Sequence, residues 1–255
     1  MNLINPDYAK FALVQEMMET VGVVKKFNPN LTRDIARKIK AAGRVLLTGE
    51  GSSRILPAKN AIRKALAWGI ETAIFTDGSR QSALYDLSKF AVFCASNSGR
   101  TKEIVLLAKK LAAEGNPNRF ALTANHDTLL EKECTETFVL NCGWEQAVAA
   151  TKSVVEQALF YESILWHIKG INKDAELTVL PAAIETALTL KIDGDIVNKV
   201  KKANTIYFAG YNDGVAEELT LKTNEITRRK SDFLEGTYAV HGIEEVMDKN
   251  DIVFV

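Results

Sequence analysis

Short, uninterrupted apolar runs, each handed on to a helical stretch, limit more than anything else how this chain can fold. Arg44–Thr48, Thr72–Thr76, Phe90–Ala95, Phe120–Thr123 and Thr137–Leu140 are such runs, and none alternates regularly between polar and apolar residues. A strand that is apolar on both faces must be covered on both. Helical patterns lie between most of the runs: one ending near Trp68, then Thr101–Glu114 and Ala147–Ile168. Two more helices precede the first run, Tyr8–Phe27 and Asn30–Ala41, the latter with Leu31, Ile35 and Ile39 at helical spacing. Strands alternating with crossover helices predict an α/β fold, a parallel five-stranded sheet in a three-layer αβα sandwich of flavodoxin-like type.

A second round begins near Asn204. Thr205–Gly210 repeats the strand-then-glycine pattern of Val45–Gly49, and a helix over Asp213–Arg228 should follow. Asp174–Leu190 and Ile196–Ala203 read as linking helices. The pattern therefore predicts two tandem units: N-terminal helices over residues 1–43, a first unit over 44–170, linking helices over 171–203 and a second unit over 204–255. The second should be partial, stopping after a strand at Asp251–Val255 short of a full sheet.

Composition closes off several functions. Lys+Arg and Asp+Glu both total 32, and this balance argues against a nucleic-acid binder, which needs a basic excess. Cys94, Cys134 and Cys142 are odd in number and lack CxxC spacing, which points away from a disulfide scaffold and towards a reducing, cytoplasmic setting. The first ten residues carry no basic region followed by an apolar core, so no secretory signal is expected. The most apolar long helix is interrupted by Glu156 and Glu162, and no membrane association is expected. Gly49-x-Gly51 lacks the third glycine of a dinucleotide fingerprint, and no metal-ligand motif stands out, so no cofactor is expected.

The segment richest in chemistry is Ala95–Glu103, A-S-N-S-G-R-T-K-E, at a strand-to-helix junction. Free N–H groups and the dipole at a helix N-terminus attract an anion. Ser96, Ser98 and Thr101 add hydroxyl donors, and Gly99 lets backbone approach a phosphate. Gly51-Ser52-Ser53 occupies the equivalent turn after the first strand. In a sheet ordered 2-1-3-4-5, strands one and three are neighbours, so both loops would meet at the crevice where ligands bind.

The SxSGxT loop, the GSS turn and Glu145–Lys152 (E-Q-A-V-A-A-T-K) together resemble the sugar isomerase (SIS) domain. The likeness is to the isomerase half of glucosamine-6-phosphate synthase and to stand-alone phosphosugar isomerases, deaminases and deglycases. It extends over nearly the whole chain, from the helix containing Gln15-Glu16-Met17 to Val255. The resemblance implies a sugar phosphate as ligand, with Ser96, Asn97, Ser98, Thr101 and Ser52 holding the phosphate. It further implies that Gly51, Ser53 and the backbone near Val148 contact the sugar, and that Glu145 and Lys152 line or brace the site. Capping and salt-bridging at a helix start account for those last two residues equally well.

In the second round, Leu221–Ile226 matches the family's L-K-L-K-E-I. Lys222 and Glu225, three apart, share a helix face, a spacing that by itself fits an ordinary ion pair. The resemblance implies that Glu225 shuttles a proton between C1 and C2 of an open-chain sugar, with Lys222 as the neighbouring cation. His241-Gly242 aligns with the family's H-G-P, whose histidine opens the sugar ring, often across a dimer interface; Ile243 stands where the family has proline. A homodimer or higher homo-oligomer is expected on this ground. The alternative is a phosphosugar sensor without catalysis, for which no base is needed.

Overall fold

The computed structural model describes residues 1–255. Two short helical elements open the chain: α1 (Pro6–Ala9), capped by Asn5, and α2 (Ala12–Lys26). The single helix expected over Tyr8–Phe27 is thus broken at Lys10–Phe11, where Gln15 Nε2 donates to the carbonyl of Ala9 at 2.7 Å. Then come α3 (Arg33–Ala42), β1 (Arg44–Thr48), α4 (Ile55–Ala67), β2 (Ala73–Phe75), α5 (Ser79–Ser82), β3 (Ala91–Ala95) and α6 (Lys102–Ala113). They are followed by β4 (Arg119–Thr123), β5 (Glu136–Val139), α7 (Lys152–Lys169), α8 (Asp174–Thr189) and α9 (Gly194–Lys202). The chain closes with β6 (Ile206–Gly210), α10 (Val215–Lys222), β7 (Ser231–Glu235) and β8 (Ile252–Phe254).

The first sheet is parallel throughout, in the order β2-β1-β3-β4-β5. Successive strand residues point to opposite faces, so the apolar runs feed two cores. Val45, Leu47, Phe93, Phe120 and Leu122 pack with Leu159, Phe160, Tyr161 and Ile164 of α7. Leu46, Val92, Cys94 and Ala121 pack with Ile104, Leu107, Ala108 and Leu111 of α6 on the other face. At the centre, the Phe93 ring lies 5.3 Å from Phe120 and 5.5 Å from Tyr161, centroid to centroid. The helix α7 owes its near-complete burial to packing against α2, α3 and α4 as well as the sheet.

A second, three-stranded parallel sheet has the order β7-β6-β8, the same inner arrangement as β2-β1-β3. Its strand β7 was invisible to hydrophobic patterning because only Leu234 in Ser-Asp-Phe-Leu-Glu is buried. The helix α10 lies on β6 and β7 and docks on α4. Gly214 makes this possible. A Cβ there would sit 2.6 Å from the carbonyl oxygen of Ile55, and its φ of +88° suits glycine. Lys59 and Arg63 of α4 reach back to Glu217 and Asp213. No helix is long and apolar enough to cross a membrane.

Candidate active site

The strand β3 stops at Ala95 and α6 starts at Lys102, leaving Ser96–Thr101 as the connecting loop. Gly99 shapes it: φ is +61°, and a Cβ would lie 2.3 Å from Cβ of Thr128. The loop is thereby pressed onto the segment after β4, where Ala124 N–H donates to the Asn97 carbonyl at 3.0 Å and Leu130 N–H to that of Gly99 at 3.1 Å. The hydroxyls of Ser96 and Thr101 are 2.8 Å apart across the loop. No side chain caps the first turn of α6, so its leading N–H groups have no side-chain partner.

The Gly51–Ser53 turn, a single 3-10 turn, approaches from β1. Gly49 allows the approach, since a Cβ there would meet the carbonyl oxygen of Ala95 at 2.9 Å. Gln157 Nε2 of α7 donates to the Ser53 carbonyl at 2.6 Å and holds the turn. A cleft of about 190 Å³ opens between the two loops. Ser53, Ser96, Asn97, Ser98 and Thr101 line one side of it, and Trp144, Glu145, Ala147, Val148 and Ala150 complete it. Ser52 is buried, and neither it nor Gly51 is among the lining residues. Gly51 instead abuts α10, where a Cβ would come within 3.7 Å of Leu221.

The far wall differs from expectation. The helix read from Ala147 begins only at Lys152, and residues 141–151 form an extended loop. Three buried carboxylates take backbone donors of this loop. Glu16 of α2 accepts from the N–H groups of Gln146 and Ala147. Glu156 of α7 accepts from Asn141 N–H at 2.9 Å and Cys142 N–H at 2.7 Å. Glu145 accepts from Thr151 N–H at 2.7 Å, the Thr151 hydroxyl at 2.9 Å, the Ser153 hydroxyl and Asn97 Nδ2, the last at 2.6 Å. Buried polar groups must be paired, and each carboxylate here pairs two or more donors. The Cys142 thiol is pushed well above its ordinary pKa by burial, then by the charges of Glu156 and Glu145.

Glu145 is therefore a brace whose oxygens are committed to loop donors. Lys152 does not line the cleft; its ammonium donates to Glu19 at 2.6 Å. Burial works to lower its pKa, but the hydrogen bond to Glu19 and the charges of Glu19, Glu16 and Glu145 outweigh that and raise it. Asn97 turns its Nδ2 to Glu145 and Ser153, leaving Oδ1 buried without a partner. Sequence reasoning missed the parts played by Glu16, Glu156 and Trp144. The first two are ordinary mid-helix glutamates by pattern, and Trp144 carries no motif.

The Lys222–Glu225 pair lies at the end of α10, where the helix widens into a single π-turn over Thr223–Thr227. Such turns recur at functional sites. Lys222 Nζ donates to Glu225 Oε2 at 3.0 Å and lies 3.5 Å from Glu218 Oε1. Glu218 is buried, with no hydrogen bond to either oxygen. Glu225 lines a groove of about 290 Å³ that shares Ala147 and Val148 with the cleft. His241 is exposed and lines neither cavity, so one copy of the chain does not bring it to the other predicted residues.

A family profile described as SIS domain matches residues 38–166, just over half of the chain. The chain belongs to the SIS family. Its parallel five-stranded sheet and the SxSGxT crevice are the parts this match spans. Over 265 residues this SIS chain is 24% identical to the glutamine–fructose-6-phosphate aminotransferase (isomerizing) of Streptococcus mutans, with 94% of the chain aligned. The chain spans 43% of that protein's length. Among solved structures it superposes on a Silicibacter pomeroyi protein described provisionally as a phosphosugar isomerase, with a TM-score of 0.79 and 19% identity. That match covers 91% of this chain and 73% of the other. Glucosamine-6-phosphate deaminase of Thermotoga maritima gives a TM-score of 0.75 at 22% identity, covering 95% and 74%. At these identities the structural likeness establishes the SIS fold and its topology.

Proposed function

We propose that this SIS chain binds a hexose or aminohexose 6-phosphate and moves a proton between C1 and C2, as an isomerase, deaminase or deglycase. The observation that carries the reading is the hydroxyl-lined cleft at the β1–β3 crevice, one wall of which, Ala147–Val148, is shared with the groove holding Glu225. A phosphate against Ser96, Ser98 and Thr101 meets hydroxyl donors and the uncapped start of α6. The sugar then extends past Val148 towards Glu225. Glu225 takes the proton from one carbon and returns it to the next, while the Lys222 ammonium offsets charge on the enediol or enolamine oxygen. Glu145 positions Asn97 and the 141–151 loop without touching the ligand's reacting atoms.

His241 enters this scheme as ring opener only from a second copy, since it lies outside both cavities of its own. We therefore include a homodimer with shared sites in the proposal, together with a cytoplasmic setting and two SIS units over residues 44–170 and 204–255. The same placement of His241 favours a second reading, a phosphosugar sensor without turnover. Incubating the protein in deuterated water with fructose 6-phosphate and glucosamine 6-phosphate separates the two. Deuterium entering at C1 or C2 supports catalysis; saturable binding without exchange supports the sensor. A thermal shift with a nucleotide and none with any sugar phosphate overturns both.

A further inference from the structure

One aromatic side chain in the cleft has no part in phosphate binding or proton transfer. Trp144 lines the cleft and is 59% exposed. The other two tryptophans find partners within the chain. Trp166 is buried and donates its indole N–H to Glu162 at 3.2 Å. The ammonium groups of Lys64 and Lys173 each lie 5.9 Å from the Trp68 ring centroid. An indole left as open as Trp144 forgoes much of the burial to which so large a ring is suited. The backbone that carries it is nevertheless fixed on both sides. Glu156 accepts from the N–H groups of Asn141 and Cys142, and Glu16 from those of Gln146 and Ala147. An exposed ring on a rigid mount is a preorganised contact surface.

Across the cleft, Ser53, Ser96, Ser98 and Thr101 bring hydroxyls, so one side is polar and the other aromatic. A glucose-configured pyranose is divided in the same way. Its equatorial hydroxyls run round the edge of the ring, and its axial carbon-bound hydrogens form two apolar faces. In a five-membered sugar ring the hydroxyls alternate above and below, so neither face is free of them, and a hydroxyl pressed on an indole loses water without gaining a partner.

We propose that Trp144 is a specificity residue: the apolar face of a closed hexopyranose stacks on its indole while the phosphate lies against the Ser96–Thr101 loop. The chain then discriminates against the furanose form of a sugar carrying the same phosphate. This rests on the phosphosugar reading of the cleft.

Calorimetry with 1,5-anhydroglucitol 6-phosphate, a locked pyranose, and 2,5-anhydromannitol 6-phosphate, a locked furanose, tests the proposal. Neither ring can open, so turnover does not enter. The pyranose should bind about tenfold more tightly, the scale of one aromatic contact. Trp144→Ala should weaken the pyranose about tenfold and the furanose far less, and the binding that remains reports a folded cleft. Trp144→Phe keeps a ring face and should restore most of the preference. Equal affinities in the unmutated chain, or a preference that survives Trp144→Ala, overturn the proposal and leave the phosphosugar reading standing. Binding of neither compound overturns that reading and this proposal with it. A change in sedimentation of Trp144→Ala with the preference intact makes the indole a contact between copies of the chain, and again overturns it.

Discussion

Asn97 Nδ2 donates to Glu145 Oε2 at 2.6 Å and so ties the Ser96–Thr101 loop to the 141–151 loop on the opposite side of the cleft. Neither loop is regular secondary structure; the Ser96–Thr101 loop is held by backbone bonds to the segment after β4, the 141–151 loop by buried carboxylates. The cleft's width depends on this bond and on the carboxylates behind it. Glu145→Ala strands the part-buried N–H of Thr151 and leaves the Asn97 amide with Ser153 alone. The expected loss of unfolding free energy in urea is on the order of 3 kcal/mol. Ligand affinity should fall with it.

Gly99 and Gly115 make a controlled pair. Both have positive φ, at +61° and +72°, but an added Cβ at Gly115 meets nothing within 4 Å. Gly115→Ala should cost about 1 kcal/mol of backbone strain alone. Gly99→Ala adds the collision with Thr128 and should cost about 2–4 kcal/mol while abolishing sugar-phosphate binding. Melting temperatures and thermal shifts of the two variants measure the difference, and equal costs would show that the loop yields.

The ion pair between Lys152 and Glu19 has a definite pH signature. The ammonium's pKa is raised on folding, the charges around it overcoming the effect of burial. A group shifted upward contributes stability in full below its unfolded pKa, about 10.5, and loses it as pH rises through the folded value. The stability difference between Lys152→Met and the unmutated chain should therefore stay flat from roughly pH 6 to 9 and shrink only above about 10.5. Urea titrations across that range test it; a difference that shrinks already below pH 9 contradicts the raised value.

Glu225→Gln keeps the shape of the side chain and removes its basicity. Proton exchange at C2 should drop about 10²–10⁴-fold while sugar-phosphate affinity stays nearly constant, because the hydroxyls proposed to hold the phosphate lie in the other cavity. Ser98→Ala should show the converse, weakening binding by roughly 1.5–3 kcal/mol, the worth of a hydrogen bond to a charged group. Exchange kinetics read by NMR, alongside calorimetry, separate the two. Near-normal exchange in Glu225→Gln would place the base elsewhere.

The sequence by itself determined the first sheet and the hydroxyl-and-glycine loop after β3, because both are written in near neighbours. Strand burial on two faces requires unbroken apolar runs, and those runs placed β1 to β5 along the chain. A loop of hydroxyls and glycine between strand and helix is likewise a local pattern. Tertiary structure alone decided the opposite wall. Residues 147–151 carry helix-forming alanines, but Glu16, some 130 positions away, takes the N–H of Ala147, and Glu145 captures the Thr151 N–H that a helix begun at Ala147 would have used. It also decided that Lys152 turns to Glu19, that Ser53 rather than Ser52 faces the cleft, and that His241 stays outside it. Periodicity reports which side of an element is apolar. Which distant polar group completes a backbone hydrogen bond depends on how the finished elements pack, and only the folded chain holds that information.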